Sequence, residues 1–281
     1  PTGVVTGVTL SALAGGNSLQ PEKATTWSLG ADLSPSLIPG LRVSANYFNI
    51  RYTGQVNAIL SDLSILQSAT SRSQYADRIV EGAQAAALVQ SFVAAGYPVI
   101  GVLPANPTLF VYGQNVNAGS TRAQGIDFQL GYRSGGFSVG TNGTYFTRYQ
   151  TAASARAPLL NTLNTLYYVP RFRSRSTIGY DHGRTNAVLF WNFTNRYKND
   201  RVTPIQTVRS YSTFDLHVAQ RLGAGQGEKG VLTLAIDVNN LLDADPPFVN
   251  VPQSANGGGG FDPTSANPIG RIISVSATVS L

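Results

Sequence analysis

Residues 270–281 read GRIISVSATVSL. Ile273, Val275, Ala277, Val279 and Leu281 share one parity, and Ile272, Ser274, Ser276, Thr278 and Ser280 share the other. Successive side chains of a strand point to opposite faces, so the spacing predicts a strand with one apolar face and one mostly polar face. As the closing strand, it is expected to have no later segment to cover its apolar face. The expectation is that lipid covers that face and that a first strand pairs the free edge, as in a transmembrane β-barrel.

The same period recurs along the chain. Residues 23–34 set Thr25, Trp27, Leu29, Ala31 and Leu33 against Thr26, Ser28, Gly30 and Asp32. Residues 41–55 set Leu41, Val43, Ala45 and Tyr47 against Arg42, Ser44 and Asn46. Further strands are expected at 121–132, 137–149, 171–180, 186–197, 211–222 and 231–242, which makes nine with the last. Short connections (SPSLIPG, RSGG, DHGR, GAGQGEK) alternate with long ones at 57–120, 150–170, 198–210 and 243–269. Short turns at one end and long loops at the other is the outer-membrane pattern, with the long loops extracellular.

Two groups of rings follow this alternation. Tyr145, Phe146, Tyr149, Tyr167, Tyr168, Trp191, Phe193, Tyr197 and Tyr211 fall beside long loops, and Tyr132, Phe137 and Tyr180 beside short turns. Girdles at two membrane interfaces would be built this way; a packed core is the other use for such rings. The apolar parities are almost free of charge inside the strands. Arg42, Asp127, Arg148, Arg171, Arg173, Arg175, Asp215, His217 and Asp237 take the opposite face, which asks for a wide, wet or plugged lumen.

Composition narrows the classes. Only 12% of the 281 residues are charged, against roughly 25% in an ordinary domain, while 42% are hydrophobic. There is no Cys, hence no disulfide, thiolate site or Fe–S cluster. The net charge is +6, but Lys and Arg are scattered, so no nucleic-acid interface is expected. Met is absent, even at position 1, so a processed or partial chain with a substantial N-terminal part before Pro1 is expected. Residues 82–121 carry no charge at all. Gly96, Pro98 and Gly101 argue against a membrane-spanning helix there. A short helix over 74–95 inside a long loop is expected instead, with Ser71 and Gln74 at capping-box spacing.

Several stretches resemble the C-terminal half of a TonB-dependent outer-membrane receptor. They are GGNSLQPEKATTWSLGADLSP, GLRVSANYFNIRYTGQV, GSTRAQGIDFQLGY, LAIDVNNLLDADPPF and the closing GRIISVSATVSL, in the family's order. The resemblance implies a 22-stranded barrel filled by an N-terminal plug, of which this chain holds the last nine strands. It also implies energised uptake of a scarce substrate, without catalysis. Implied partners are the lipid bilayer and lipopolysaccharide, the plug, the TonB–ExbB–ExbD complex through that plug, the barrel-assembly machinery, and a small-molecule or oligosaccharide substrate; no cofactor is implied. The family usually ends in an aromatic residue, whereas this chain ends in Leu281, with Gly270, Val275 and Val279 before it in the barrel-closing strand.

No nucleophile elbow, P-loop or zinc motif is present, and no catalytic or metal residues are expected. His182 and His217 read as isolated. Arg171, Arg173 and Arg175 would stack on the lumen face and repel unless neutralised. Pairing with plug carboxylates or with Asp127, Asp215 and Asp237 is one reading; a path for an anionic substrate is the other. The lumen candidates are thus Arg148, Arg171, Arg173, Arg175, Asp127, Asp215, His217 and Asp237, and the interface aromatics are Tyr132, Phe137, Tyr145, Tyr149, Tyr180, Trp191, Phe193 and Tyr197. Loops 57–120 and 243–269 are expected to touch substrate. Two rival functions stay open: a passive porin or autotransporter barrel, and a secreted soluble β-protein.

Overall fold

The computed structural model describes residues 7–10, 19–57, 69–154, 156–223, 231–251 and 259–280. In chain order the elements are β1 (Gly7–Leu10), β2 (Lys23–Leu33), β3 (Leu41–Asn57), α1 (Ala69–Gln74), β4 (Ile79–Glu81), α2 (Ala83–Ala94), β5 (Leu109–Tyr112), β6 (Val116–Ser134) and β7 (Phe137–Ala152). They continue with β8 (Leu160–Asn161), β9 (Phe172–His182), β10 (Thr185–Thr194), β11 (Tyr197–Asn199), β12 (Gln206–Val208), β13 (Tyr211–Leu222), β14 (Val231–Asn239) and β15 (Ile272–Ser280).

Nine of these strands form one sheet in the order β15-β14-β13-β10-β9-β7-β6-β3-β2, so each strand pairs with its neighbour in sequence, and β8 adds to β7. All nine expected strands are present. Their hairpin turns follow local chemistry. His182 pairs with Thr185, leaving only Gly183 and Arg184 in the turn, and Gly183 takes φ 62°. Tight hairpins require such positive φ, which glycine adopts without strain.

The registers carry the parity from strand to strand. Phe137 faces Tyr180, Ile178 faces Leu189, Leu189 faces Leu216, Val218 faces Ile236, and Ile236 faces Val275. One face is therefore apolar across the sheet, and much of it is open: Leu29, Phe137, Ile178, Ile236 and Val275 are all exposed, Ile178 by 60%. The reverse face brings together Asn142, Arg175, Asn192, Thr213 and their neighbours.

Rings line the apolar face. Phe128 stacks on Phe172 at 6.0 Å, Phe172 meets Phe193 at 5.9 Å, and Trp191 meets Phe193 and Phe214. β7 would block the first of these contacts, were it not for Gly143. A Cβ there would lie 2.8 Å from Phe128 Cζ and 2.5 Å from the Arg173 carbonyl oxygen. At the other end Phe137 meets Tyr180 at 4.9 Å.

Contacts divide the chain into two compact units. One holds residues 27–49, 123–149 and 162–281; the other holds 1–26, 50–122 and 150–161. The second contains a small sheet of order β1-β5-β4, with β1 parallel to β5. Ala85 and Val89 of α2 pack with Phe110 there, and Phe92 stacks on Phe110 at 5.5 Å.

This arrangement corrects the helix expected over 74–95. Gln74 ends α1, the chain turns, and Ile79–Glu81 pairs antiparallel with β5 before α2 begins. Pairing Ile79 and Val80 with Val111 and Phe110 outweighs their helical continuation. Gly82, at φ 67°, then resets the backbone. Ser71 therefore lies inside α1 and not at its N-cap position, and α2 has no side-chain N-cap. Gln74 is buried instead, donating to the Pro158 carbonyl and accepting from the Ala153 N–H. Among its described residues, the loop expected over 57–120 thus holds two helices and two short strands, and β6 starts at Val116 rather than near Thr121. Turn residues 224–230 and the terminal Leu281 lie outside the described residues.

Candidate functional site

The polar face of β9, β10 and β13 is built by alternation and flanked by one loop. Arg173 and Arg175 are two residues apart on β9, so both side chains share that face, about 7 Å apart along the strand. Arg173 faces Thr144 and Thr194 in the register, and Arg175 faces Asn142 and Asn192. Residues 263–267, from the connection between β14 and β15, cover this patch. Together they line a cavity of about 560 Å³ whose walls include Asn142, Thr144, Asn192, Tyr211, Thr213, Ser265 and Asn267.

The two arginines are held differently. Arg173 Nη2 donates to the Thr264 carbonyl at 2.8 Å and to Ser265 Oγ at 3.2 Å, tying the loop to the strand. The Arg175 guanidinium lies 4.2 Å from the Phe190 ring centroid, and its Nη2 is 4.0 Å from Asp215 Oδ2. Asp215 has closer partners: Asn192 Nδ2 donates to Oδ2 at 2.7 Å and the Asn240 N–H to Oδ1 at 3.0 Å. Asp127 accepts from Thr144 Oγ1 at 2.6 Å, and Asp237 from His217. Of the three aspartates considered as partners for the arginines, only Asp215 comes near one. Arg171 precedes β9; its backbone accepts from the Phe146 N–H and donates to Asn164 Oδ1. Arg148 is exposed on β7.

His217 is not isolated. It sits directly across from Asp237 in the β13–β14 ladder, with Nδ1 and Oδ1 2.7 Å apart. His182 lies on β9, its ring 6.2 Å from that of Tyr180.

Tyr197 is also corrected. β10 ends at Thr194, and Tyr197 opens β11, which pairs with β12 in a separate two-stranded ribbon. The residue is 4% exposed and packed with Leu166, Val208 and Val249, so it belongs to a loop core. Burial, reinforced by the neighbouring Asp262 carboxylate, pushes its phenol pKa well above the usual range. Among the other expected interface rings, Tyr132, Phe137, Tyr145 and Trp191 are exposed, while Tyr149, Tyr180 and Phe193 are half-buried.

Asp262 and Phe190 escaped the sequence reading. Asp262 is 1% exposed and accepts from both the backbone N–H and the hydroxyl of Thr264, a local turn that Asp-Pro-Thr-Ser could have signalled. Phe190 is an aromatic residue on the polar parity, visible in Asn-Ala-Val-Leu-Phe-Trp-Asn once the strand's phase is set. A second cavity of about 760 Å³ lies at the short-turn end, lined by Asp32, Arg42, Gln129 and Arg133.

Solved structures share this fold. The ferric enterobactin receptor PfeA of Pseudomonas aeruginosa matches with a TM-score of 0.60 at 18% identity, over 94% of this chain and 32% of that one. The copper transporter OprC matches at 0.53 and 15% identity, over 94% and 32%. The siderophore receptor PirA of Acinetobacter baumannii matches at 0.52 and 16% identity, over 92% and 32%. This chain thus spans about a third of the length of these proteins. No curated protein matches it in sequence. A family model described as "TonB dependent receptor-like, beta-barrel" matches residues 2–241. With its sequential antiparallel strands, its bare apolar face and its polar reverse, the chain belongs to the TonB-dependent receptor β-barrel family.

Proposed function

We propose that this chain is the C-terminal part of the barrel of a TonB-dependent transporter in a bacterial outer membrane. Its work is uptake of a scarce solute rather than catalysis. The observation that carries the reading is the separation of two faces through nine strands. Hydrocarbon can cover Leu29, Phe137, Ile178, Ile236 and Val275, while Arg173, Arg175, Asp215, His217 and Asp237 line a hydrated interior. A lumen carrying that many ionisable groups suits a wide barrel better than a small, side-chain-filled one.

In this reading a 22-stranded wall surrounds an N-terminal plug, and the groups around Asp32, Arg42 and Arg133 face that plug near the periplasm. Solute binds at the extracellular loops, and TonB, energised by ExbB–ExbD, pulls the plug to open a path. Lipopolysaccharide surrounds the upper ring row, and the barrel-assembly machinery inserts the strands.

The test is uptake by cells expressing the intact protein, with and without TonB and with the proton-motive force collapsed. Uptake that needs both supports the reading. Uptake that needs neither, with steady conductance in a planar bilayer, would replace it with a passive pore.

A further inference from the structure

We propose that Arg173 and Arg175, with the loop residues that roof them, form a subsite for an oxyanion group, carboxylate or phosphate, on a hydroxyl-rich solute. The inference rests on the uptake reading and specifies which chemistry the lumen receives. It starts from the cavity of about 560 Å³ between the polar face of β9, β10 and β13 and residues 263–267. Its lining mixes apolar surface from Phe193, Pro263 and Ala266 with neutral donors and acceptors such as Asn142, Thr144, Asn192 and Asn267, and the two guanidinium groups lie among them. Amides and hydroxyls of this kind match the hydroxyls of a polyol. A guanidinium fork matches the two oxygens of a carboxylate or phosphate.

The arginines keep capacity for such a group. Arg173 uses one nitrogen, Nη2, for the loop; no carboxylate comes within 4.0 Å of it among the described residues, and the buried Asp262 carboxylate favours its charge from farther off. A guanidinium has five N–H donors, so Nη1 and Nε remain for a ligand. Arg175 approaches Asp215 only at 4.0 Å, and that carboxylate is already occupied by Asn192 and Asn240. The contact with the Phe190 ring holds the Arg175 guanidinium without using its donors. Two like charges rooted two residues apart on one strand face repel, and an anion bound beside them relieves the repulsion. Solvated positive charge beside the plug is the competing use of these groups.

The experiment measures binding of citrate, inorganic phosphate and glucuronate, with glucose as the neutral control, to the intact protein in detergent by calorimetry. The Arg173→Gln/Arg175→Gln variant is compared with wild type. Arg175→Gln alone leaves the Arg173 loop tie in place and guards against a misfolded loop. Each removed guanidinium is expected to weaken binding of at least one of the three anions by about tenfold, without affecting glucose. Citrate or glucuronate binding without phosphate assigns a carboxylate site, and phosphate binding alone assigns a phosphate site. Anion affinities equal in wild type and both variants, or no anion binding at millimolar concentration, overturn the subsite. Such a loss would leave TonB-dependent uptake by cells unchanged, whereas a failure of the uptake reading would show as TonB-independent transport with anion binding intact.

Discussion

His217 and Asp237 face each other across the β13–β14 ladder with Nδ1 and Oδ1 2.7 Å apart. The carboxylate can only accept, so the contact places a proton on Nδ1 and leaves Nε2 to other partners. Both side chains are partly exposed, which limits the energy. Asp237→Asn is expected to destabilise the barrel by about 1 kcal/mol, and a double-mutant cycle with His217→Gln to return a coupling of the same order. Urea unfolding in detergent reads both; a coupling near zero would show that the pair is geometrically close but energetically idle.

Adjacent residues test the two faces. Ile178 points to the apolar side and Thr177 to the polar side of the same strand. Ile178→Arg is expected to cost about 2–4 kcal/mol near the bilayer centre, whereas Thr177→Arg costs little. Equilibrium folding into lipid vesicles gives both numbers, and equal costs would contradict the assignment of faces.

Gly143 lets Phe128 reach across β7 to Phe172. Gly143→Val fills that gap and is expected to cost about 1–3 kcal/mol through overpacking. Gly131, which has open space where a Cβ would stand, is the control, and Gly131→Val should be nearly neutral. Thermal denaturation of the two variants separates the cases.

Tyr197 titrates above its ordinary value of 10.0 in the folded loop. A phenol with a raised folded pKa keeps its proton longer than in the unfolded chain. Its contribution is therefore complete below about pH 10 and is lost as pH rises beyond it. Ultraviolet titration should find one fewer late-ionising phenol in Tyr197→Phe than in wild type. Limited proteolysis should show the wild-type loop opening at alkaline pH. A Tyr197 phenolate forming at about pH 10 in the folded protein would remove the argument.

The strands were legible because a period of two survives all the way along the wall. Leu232, Leu234 and Ile236 announce their face without any knowledge of their partners. The loops were not legible in this way. Nothing local distinguishes Ile79 and Val80 in a helix from the same residues pairing with β5, and the partner lies about thirty residues away. Tyr197 looked like one more ring at a strand end until Leu166, Val208 and Val249, from three separate segments, closed around it. The same reason hid the roof of the arginine patch. Arg173 could be placed on the polar face from spacing alone, but its partners Thr264 and Ser265 are 91 and 92 positions away.

The alternation of short turns and long connections also confines errors of phase. A residue inserted into β9 would invert the inside–outside assignment of part of that strand, and the Gly183-Arg184 turn is too tight to correct it for β10. The 16-residue stretch from 195 to 210 has slack to do so, and β13 would start again in step. Each hairpin is therefore its own reading frame. Hairpins such as β6–β7, β9–β10 and β13–β14 can be lengthened at their tops, or exchanged between related barrels, without rewriting the strands beside them.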